Sequence, residues 1–440
     1  MTEPSAPQDD GSAAGPYRPP GDATPVSGDE SSRADGKTPA HGNRALAFIL
    51  LTLFIDILGI GIVIPVLPEL VKQLIGGDET AASAYVGLIA SAYAVMQFFC
   101  APMLGALSDR FGRRPVLIIA LFGLGIDFIV QGFANSVFWL LVARMIGGAM
   151  GASVTTANAY IADISNDDTR ARNFGLVGVM FGLGFIFGPA LGGSLGEINL
   201  RLPFFVAAGL ALSNAVYGFF VLPESLPKDL REPIKLSSMS PIGSLRVLRQ
   251  YPLVMGLAVV VTIKAFAQRG LENVWVLYTA AKFDWSKATN GFFLGWVGVT
   301  ALIVQGGLVR PTVRRFGERR VLLFATAISA IAFAGYATAP QGWMLPLIIT
   351  FGGLGGLAGP AVQSLITSTV DEREQGRVQG ALTCLQSLTA IAAPLFFTAG
   401  LFQFFSDKSK SYYFPGAPLL AGSILIVIAG LVALRVVRRN

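Results

Sequence analysis

The sequence predicts an all-α membrane protein in which twelve transmembrane helices form two six-helix halves. Apolar residues make up 53% of the 440 residues and charged residues 14%, whereas about a quarter of a soluble domain is charged. From residue 45 onward, the chain contains repeated apolar runs of about 20 residues, the length that crosses a bilayer. Both observations favour membrane helices over a large water-soluble core.

An internal repeat divides these helices into two sets. Residues 105–115 read GALSDRFGRRP, and residues 310–320 read RPTVRRFGERR. Aligning Phe111 with Phe316 gives an offset of 205 residues (316 − 111). The same offset places further residues of the first copy on identical residues of the second: Gly147, Gly148, Gly151, Arg172, Gly175 and Pro189. The sequence therefore predicts two copies of one six-helix unit.

Four segments are predicted along the chain. Residues 1–43 contain few large apolar side chains, so we expect a disordered cytoplasmic tail, and they lack the basic start and apolar core of a signal peptide. Residues 44–222 form the first half, residues 223–251 a cytoplasmic linker and residues 252–440 the second half. The expected spans are residues 45–70, 85–104, 116–133, 138–161, 174–195, 203–222, 252–280, 291–309, 321–339, 343–365, 378–404 and 417–437.

The basic residues lie mainly in alternate loops. The net charge is +6, but these residues are spread over short loops, so we expect membrane orientation and no nucleic-acid partner. The asymmetry predicts a multi-pass protein of the cytoplasmic membrane with both termini inside. The residues expected on the cytoplasmic side are Arg110, Arg113, Arg114, Arg170, Arg172, the basic residues of the linker, Arg310, Arg314, Arg315, Arg319, Arg320, Arg373, Arg377, Arg435, Arg438 and Arg439.

Cysteine and histidine positions give no sign of an enzyme, a cofactor or a metal site. Cys100 and Cys384 lie within apolar runs without neighbours at ligand spacing, and the only histidine, His41, lies in the tail. No nucleophile and base are paired in the sequence. We therefore expect a protein that carries out no covalent chemistry.

Four ionisable residues lie deep within apolar helices. At 1.5 Å per residue, Asp56, Asp127 and Lys264 are roughly 17 Å from the cytoplasmic side, and Arg144 about 20 Å. Placing each charged side chain at the centre of a membrane helix costs on the order of 2.5–3.5 kcal/mol of insertion free energy. We therefore expect the four side chains to face a shared polar cavity. Intramembrane charges mark substrate or proton paths, and we assign proton coupling to Asp56, Asp127 and Arg144. The alternative is a pair of structural ion pairs.

A second set of polar residues is predicted to line the substrate cavity. Lys264, Gln268 and Glu272 share one helix face, and Arg269 reaches Glu272 at a spacing of three residues. The uncharged members are Gln97, Asn158 and Gln305. Each of these three also suits an ordinary interhelical hydrogen bond. In the fifth helix, Gly188 and Pro189 are predicted to form a hinge, since proline bends helices.

These motifs resemble a known family. The loop at residues 105–115 resembles the signature of the major facilitator superfamily, and residues 56–68 resemble the first helix of its drug/proton antiporters. Over residues 44–405 the chain is most similar to the tetracycline/proton antiporters. The resemblance implies the major facilitator fold, alternating access, and antibiotic resistance through drug efflux driven by proton influx. It implies a small-molecule substrate and protons as partners, and a monomer working in the lipid bilayer.

The resemblance also implies a cytoplasmic gate. In it, Asp109 caps the start of the eleventh helix, where a carboxylate meets a positive helix end. Arg113 pairs with Asp163 and closes the gate in the outward-facing state. The gate residues are Gly105, Asp109, Arg110, Gly112, Arg113, Arg114 and Asp163.

The chain departs from the tetracycline pumps at several positions. Ala301 stands where they have a histidine, and Ser329 where they have an aspartate. Lys264, Arg269 and Glu272 lack charged counterparts there. A metabolite or organic-anion transporter of the same fold is therefore the alternative, followed by a receptor or scaffold that does not transport.

Overall fold

The computed structural model describes residues 40–77, 79–151, 153–231 and 243–439. Contacts within the chain separate Met1–His41 from Gly42–Asn440, and the membrane helices belong to the second unit. Most of the predicted disordered tail, residues 1–43, lies outside the described residues, and so do linker residues 232–242.

Twelve helical segments of the described chain are long and apolar enough to cross a bilayer, which confirms the predicted fold class. We number them α1 to α12. The first six are α1 (Ala40–Val63), α2 (Glu79–Phe111), α3 (Arg113–Phe133), α4 (Val137–Met150 and Ser153–Asp163), α5 (Asp167–Ile198) and α6 (Leu202–Val221).

The last six spans are α7 (Pro252–Phe283), α8 (Lys287–Ile303, π-helical Val304–Leu308 and Val309–Phe316), α9 (Glu318–Thr338), α10 (Met344–Gly352, 3-10 Gly353–Leu357 and Ala358–Thr367), α11 (Glu372–Ala393, π-helical Pro394–Phe402 and Gln403–Phe405) and α12 (Ala417–Arg439). Three of them, α8, α10 and α11, change helical pitch along their length. Between the spans lie a short helix, Leu67–Leu74, and two 3-10 turns, Lys228–Leu230 and Gly243–Gln250.

The predicted first span, residues 45–70, is wrong at its C-terminal end. The helix ends at Val63, and a turn closed by the Val66 amide on the Val63 carbonyl (3.1 Å) leads into Leu67–Leu74. Pro65 has no N–H to continue the helix and disfavours helical backbone at the residue before it. Pro68 lies in the first turn of the new helix, where a missing N–H costs nothing.

Each half buries its own apolar core. In the first half, one cluster surrounds Leu58 and Phe128 and a second surrounds Phe48 and Tyr160. In the second half, separate clusters form between α7, α9, α10 and α12 and around the aromatic residue Trp275. These clusters contain few residues of the opposite half. The two halves therefore contact each other mainly through residues outside the clusters.

We call the end of the bundle that carries the loops α2–α3 and α8–α9 the basic face, and the opposite end the far face. The halves pack closely towards the far face. A Cβ added to Gly291 of α8 would lie 2.2 Å from the Pro189 carbonyl oxygen of α5, and one on Gly87 of α2 would lie 2.7 Å from the Pro394 carbonyl oxygen of α11. The Ser91 hydroxyl donates to the Ile391 carbonyl at 2.8 Å. Glycine therefore allows backbone-to-backbone contact between the halves.

The glycines of α5 also hold this helix against α1. A Cβ at position 192 would lie 2.0 Å from the Ile62 carbonyl oxygen, so we expect Gly192→Ala to lower the thermal unfolding midpoint of the detergent-solubilised protein. Gly209→Ala in α6 is the matched control, since a Cβ there meets nothing within 4 Å. The control should keep or raise the midpoint, because alanine favours helix over glycine by about 1 kcal/mol. Equal midpoints for the two variants would contradict the packing argument.

Candidate functional site

Asp56 is a buried carboxylate that has no cationic partner among the residues that the structure describes. It lies on α1 and is 7% exposed. Its Oδ2 accepts a hydrogen bond from the Ser153 hydroxyl of α4 at 2.9 Å, whereas its Oδ1 is buried without a hydrogen-bond partner. Since no charge balances this carboxylate, gain or loss of a proton here changes the net charge of the bundle interior.

Asp127 of α3 forms an ion pair with Arg144 of α4. The distance from Asp127 Oδ2 to Arg144 Nη1 is 3.6 Å, and the Gln131 side-chain amide donates to Asp127 Oδ1 at 2.9 Å. The guanidinium also lies over the Tyr93 ring of α2, 4.3 Å from its centroid. Arg144 is thus held between a carboxylate and an aromatic face, an arrangement that stabilises a partly desolvated cation.

Glycine makes the space for this pair. A Cβ on Gly147 would lie 2.4 Å from Asp127 Oδ2, and one on Gly148 would lie 2.3 Å from the Tyr93 carbonyl oxygen. Asp127 itself is 0% exposed. The sequence identifies this glycine pair as part of the repeat, and in the structure Gly147 accommodates the buried carboxylate.

The charges of the second half lie on α7. Lys264 Nζ donates to the Thr326 hydroxyl of α9 at 3.4 Å and has no acidic partner among the described residues. Further along α7, Arg269 Nη1 is 2.9 Å from Glu272 Oε2, and the Gln268 amide donates to Glu272 Oε1 at 3.2 Å. These last three side chains are exposed, and the Arg269 charge acts on Tyr93 of α2. They therefore face the space between the halves.

The four midplane charges are not joined into two ion pairs. Asp127 pairs with Arg144, Asp56 bonds to Ser153, and Lys264 bonds to Thr326. The expectation that all four face one cavity fails for Asp127, because its carboxylate is enclosed between α3 and α4.

The uncharged polar candidates have different surroundings. Gln305 is exposed in the π-helical part of α8, beside Gly306 and Gly307, where an added Cβ would meet nothing within 4 Å. Asn158 of α4 has a buried Oδ1 without a hydrogen-bond partner, and Gln97 of α2 is partly exposed. A π-helical segment with free space and a polar side chain is typical of a functional site.

The basic face carries an ion-pair cluster within the first half. Arg113 contacts Asp109 and lies 3.3 Å from Asp163 Oδ2. Its Nη1 also donates to the Ser108 hydroxyl at 2.7 Å. Gly112, between α2 and α3, has φ 104°, a conformation that glycine adopts without strain. Arg110 is exposed, and Gly105 has free space where a Cβ would lie.

Glu224 is an additional member of this cluster that the sequence did not reveal. Its Oε1 accepts from the backbone amides of Arg113 at 2.8 Å and Arg114 at 3.5 Å, which are the first residues of α3. A carboxylate at a helix N-terminus meets free amides and the positive end of the helix dipole. The Arg114 side chain bonds back to the Phe219 carbonyl of α6. Glu224 therefore fastens the end of α6 to the start of α3.

Among the residues that the structure describes, Asp109 makes no contact with α11, and the side chains of residues 372 and 373 at the start of α11 lie outside the description. Asp109 is 49% exposed, and its described partner is Arg113. A Cβ on Gly105 of α2 or Gly376 of α11 would meet nothing within 4 Å. The close packing between the halves therefore stops before the basic face, which separates the two groups that would form this contact.

The far face is closed by an ion pair between the halves. Glu197 at the end of α5 lies 3.9 Å from Lys287 Nζ at the start of α8. The same carboxylate accepts from the Ala288 amide at 3.2 Å. The conformation is thus closed at the far face and open at the basic face. Gly188 and Pro189 lie within this seam, and their predicted role as a hinge stays a prediction.

Comparison with known proteins identifies the family. The family model described as Major Facilitator Superfamily matches residues 49–394. The chain belongs to the major facilitator superfamily. As a member, it is a multi-pass membrane transporter and not an enzyme.

Individual relatives are transporters and resistance proteins. The chain is 40% identical over 358 residues to the tetracycline resistance protein, class C, of Escherichia coli, covering 81% of this chain and 89% of that protein. It is 29% identical over 402 residues to multidrug resistance protein 2 of Bacillus subtilis, covering 90% and 96%. Among solved structures, the human organic anion transporter MFSD10 (TETRAN) is similar, with a TM-score of 0.67, 25% identity and coverage of 90% and 100%.

The buried ion pair gives a stability prediction. Arg144→Gln leaves the Asp127 carboxylate buried without a counter-charge, so we expect the free energy of unfolding to fall by about 3 kcal/mol. The double variant Asp127→Asn with Arg144→Gln should recover most of it, because both charges are then removed. Arg269→Gln is the exposed control and should cost less than about 1 kcal/mol. Unfolding in detergent measures all three variants, and a double variant that is no more stable than Arg144→Gln would contradict a direct pair.

Glu224, which caps the N-terminus of α3, gives a second stability prediction. Glu224→Gln removes the charge from the helix N-terminus, so we expect the free energy of unfolding to fall by about 1 kcal/mol. Glu374→Gln is the matched control, because Glu374 pairs only with exposed Arg377 at 3.1 Å. Such a pair contributes little. If both variants unfold alike, Glu224 does not cap α3.

Proposed function

We propose that this major facilitator is a proton-coupled antiporter that exports a drug-like small molecule by alternating access. The observation that supports it most is the pair of buried first-half carboxylates, Asp56 without a cation and Asp127 beside Arg144. Intramembrane acids of this kind are typical of proton relays. The similarity to resistance proteins for tetracycline and for multiple drugs supports a drug as cargo.

Each buried acid has a separate role in the proposal. Asp56 takes up and releases the coupling proton, with Ser153 as its hydrogen-bond donor. Asp127 and Arg144 sense the change, since Arg144 lies on α4, the helix that also carries Ser153. A proton entering down a 100 mV potential supplies about 2.3 kcal/mol, enough for a roughly fifty-fold gradient of drug.

The two faces give the direction of transport. We place the basic face in the cytoplasm because of its excess of arginine, with both termini on that side of the cell membrane. The drug then enters from the basic face, where the halves are apart. Closure there brings Asp109 towards α11 as the Glu197–Lys287 contact on the far face opens.

The exposed residues of α7 and α8 indicate what kind of cargo would fit between the halves. Arg269, Glu272 and Gln305 present a cation, an anion and an amide to the space between the halves. Ala301 and Ser329 replace the ionisable residues that the resemblance to tetracycline pumps led us to expect. A cargo carrying both charges and an apolar body fits this lining, and tetracycline is one candidate.

Everted membrane vesicles that hold a pH gradient test the coupling. Addition of a transported drug should dissipate the gradient in wild type, and Asp56→Asn should abolish the response because the proton carrier is lost. Asp407→Asn is the matched control, since Asp407 lies in the exposed turn after α11 and bonds to Ser409. A drug response that persists in Asp56→Asn would contradict the proposal.

A second candidate is the export of an organic anion. Lys264 has no acidic partner among the residues described, and the similar human structure is an organic anion transporter. If the cargo is an anion, Lys264→Gln should abolish its transport and spare cationic dyes. If the wild-type protein transports cationic dyes but no organic anion, export of an organic anion is excluded.

A further inference from the structure

The second copy of the repeated loop carries charges to which the proposed antiport assigns no role. Arg310, Arg314 and Arg315 lie on the last turns of α8 and line a concavity of about 930 Å³ together with Pro311. All three arginines are exposed. Within the described chain, no hydrogen bond or ion pair engages their guanidinium groups. The nearest acid in sequence, Glu318, accepts from the Ser364 hydroxyl at 3.3 Å instead.

The first copy of the loop has acidic partners for its basic groups. There, Arg113 is paired with Asp109 and Asp163, and the amides at the start of α3 are capped by Glu224. In the second copy Arg314 stands at the position of Asp109. The three guanidinium groups therefore form a site for an anion that the protein itself does not supply.

The length of α8 places this site in the headgroup layer of the membrane. Lys287 begins the helix in the far-face ion pair, and Arg310 follows 23 residues later (310 − 287). At 1.5 Å per residue that is roughly 35 Å, just beyond a hydrocarbon core of about 30 Å. Arg315 is roughly 42 Å away, still within the 40–45 Å that includes the headgroups.

Apolar side chains border the arginines on the membrane side. Ile303 is 59% exposed and Leu308 37% exposed, and both precede Arg310 on the same helix. Phe316, 51% exposed, follows the cluster at the end of α8 and lies beside the Arg315 guanidinium, 5.5 Å from ring centroid to Cζ. A ligand with a phosphate and an acyl chain matches this order of basic and apolar side chains. Free phosphate would leave the apolar part without a role.

We propose that Arg310, Arg314 and Arg315 bind the phosphate of an anionic phospholipid headgroup at the basic-face end of α8. Arginine forms bidentate hydrogen bonds to phosphate oxygens. Basic residues at a membrane surface attract anionic lipid, by about fivefold in affinity for each arginine. This site is separate from the buried acids and does not depend on the proposed antiport.

Native mass spectrometry of the full chain, released from detergent with added lipid, tests the proposal. Wild type should retain phosphatidylglycerol over phosphatidylcholine of identical acyl chains, and R310Q/R314Q/R315Q should lose about a hundred-fold in affinity. R310K/R314K/R315K keeps the charge and should retain most of the binding. The charge-matched control R170Q/R172Q/R249Q removes exposed arginines elsewhere on the basic face and should bind as wild type does.

Two results would overturn the site. In one, R310Q/R314Q/R315Q and the charge-matched control retain phosphatidylglycerol equally, so that the cluster adds only general positive charge. In the other, excess inorganic phosphate releases the lipid completely, which would make the ligand a soluble anion. Circular dichroism of each variant shows that a loss of lipid is not a loss of fold.

Discussion

The burial of charge inside a helix bundle is the constraint on which the first half depends. An ionised side chain at this depth costs on the order of 2.5–3.5 kcal/mol, so its surroundings must compensate. For Asp127 the compensation is Arg144, the Gln131 amide and the room left by Gly147. Helix α4 also carries Ser153, which donates to Asp56 of α1. Both buried acids therefore contact side chains of α4.

The duplication supplies the architecture but not the chemistry. At the offset of 205 residues, the counterparts of Asp56, Asp127 and Arg144 are Val261, Ala332 and Ile349. At these positions the second half thus has neither the buried pair nor the acid that we propose as the proton carrier. Its charges lie instead on α7, towards the space between the halves. At the basic face, Asp109 and Arg113 correspond to Arg314 and Glu318, so the order of charge is reversed. In the second copy Glu318 bonds to Ser364, and Arg314 remains part of a basic surface.

Much of the fold could be predicted from apolar runs, loop charges and the repeat, because each span must be apolar along its whole length. The end of α1 was misjudged, since Pro65 and Pro68 lie in a stretch whose hydropathy continues unbroken. The candidate charges could be found because ionisable residues stand out in such helices. Their partners could not, since Ser153 and Tyr93 are ordinary residues for a helix and become partners only through packing. Glu224 follows a proline beyond α6, and only the fold brings it to α3.

In the proposed mechanism, protonation of the buried acids is linked to movement between the halves. Distances between spin labels at Gly105→Cys on α2 and Gly376→Cys on α11, with Cys100 and Cys384 replaced, test it most directly. We expect two distance populations whose ratio changes with pH in the labelled wild-type background. Adding Asp56→Asn and Asp127→Asn should give a ratio that no longer depends on pH. A ratio that changes equally in both proteins would contradict the claim.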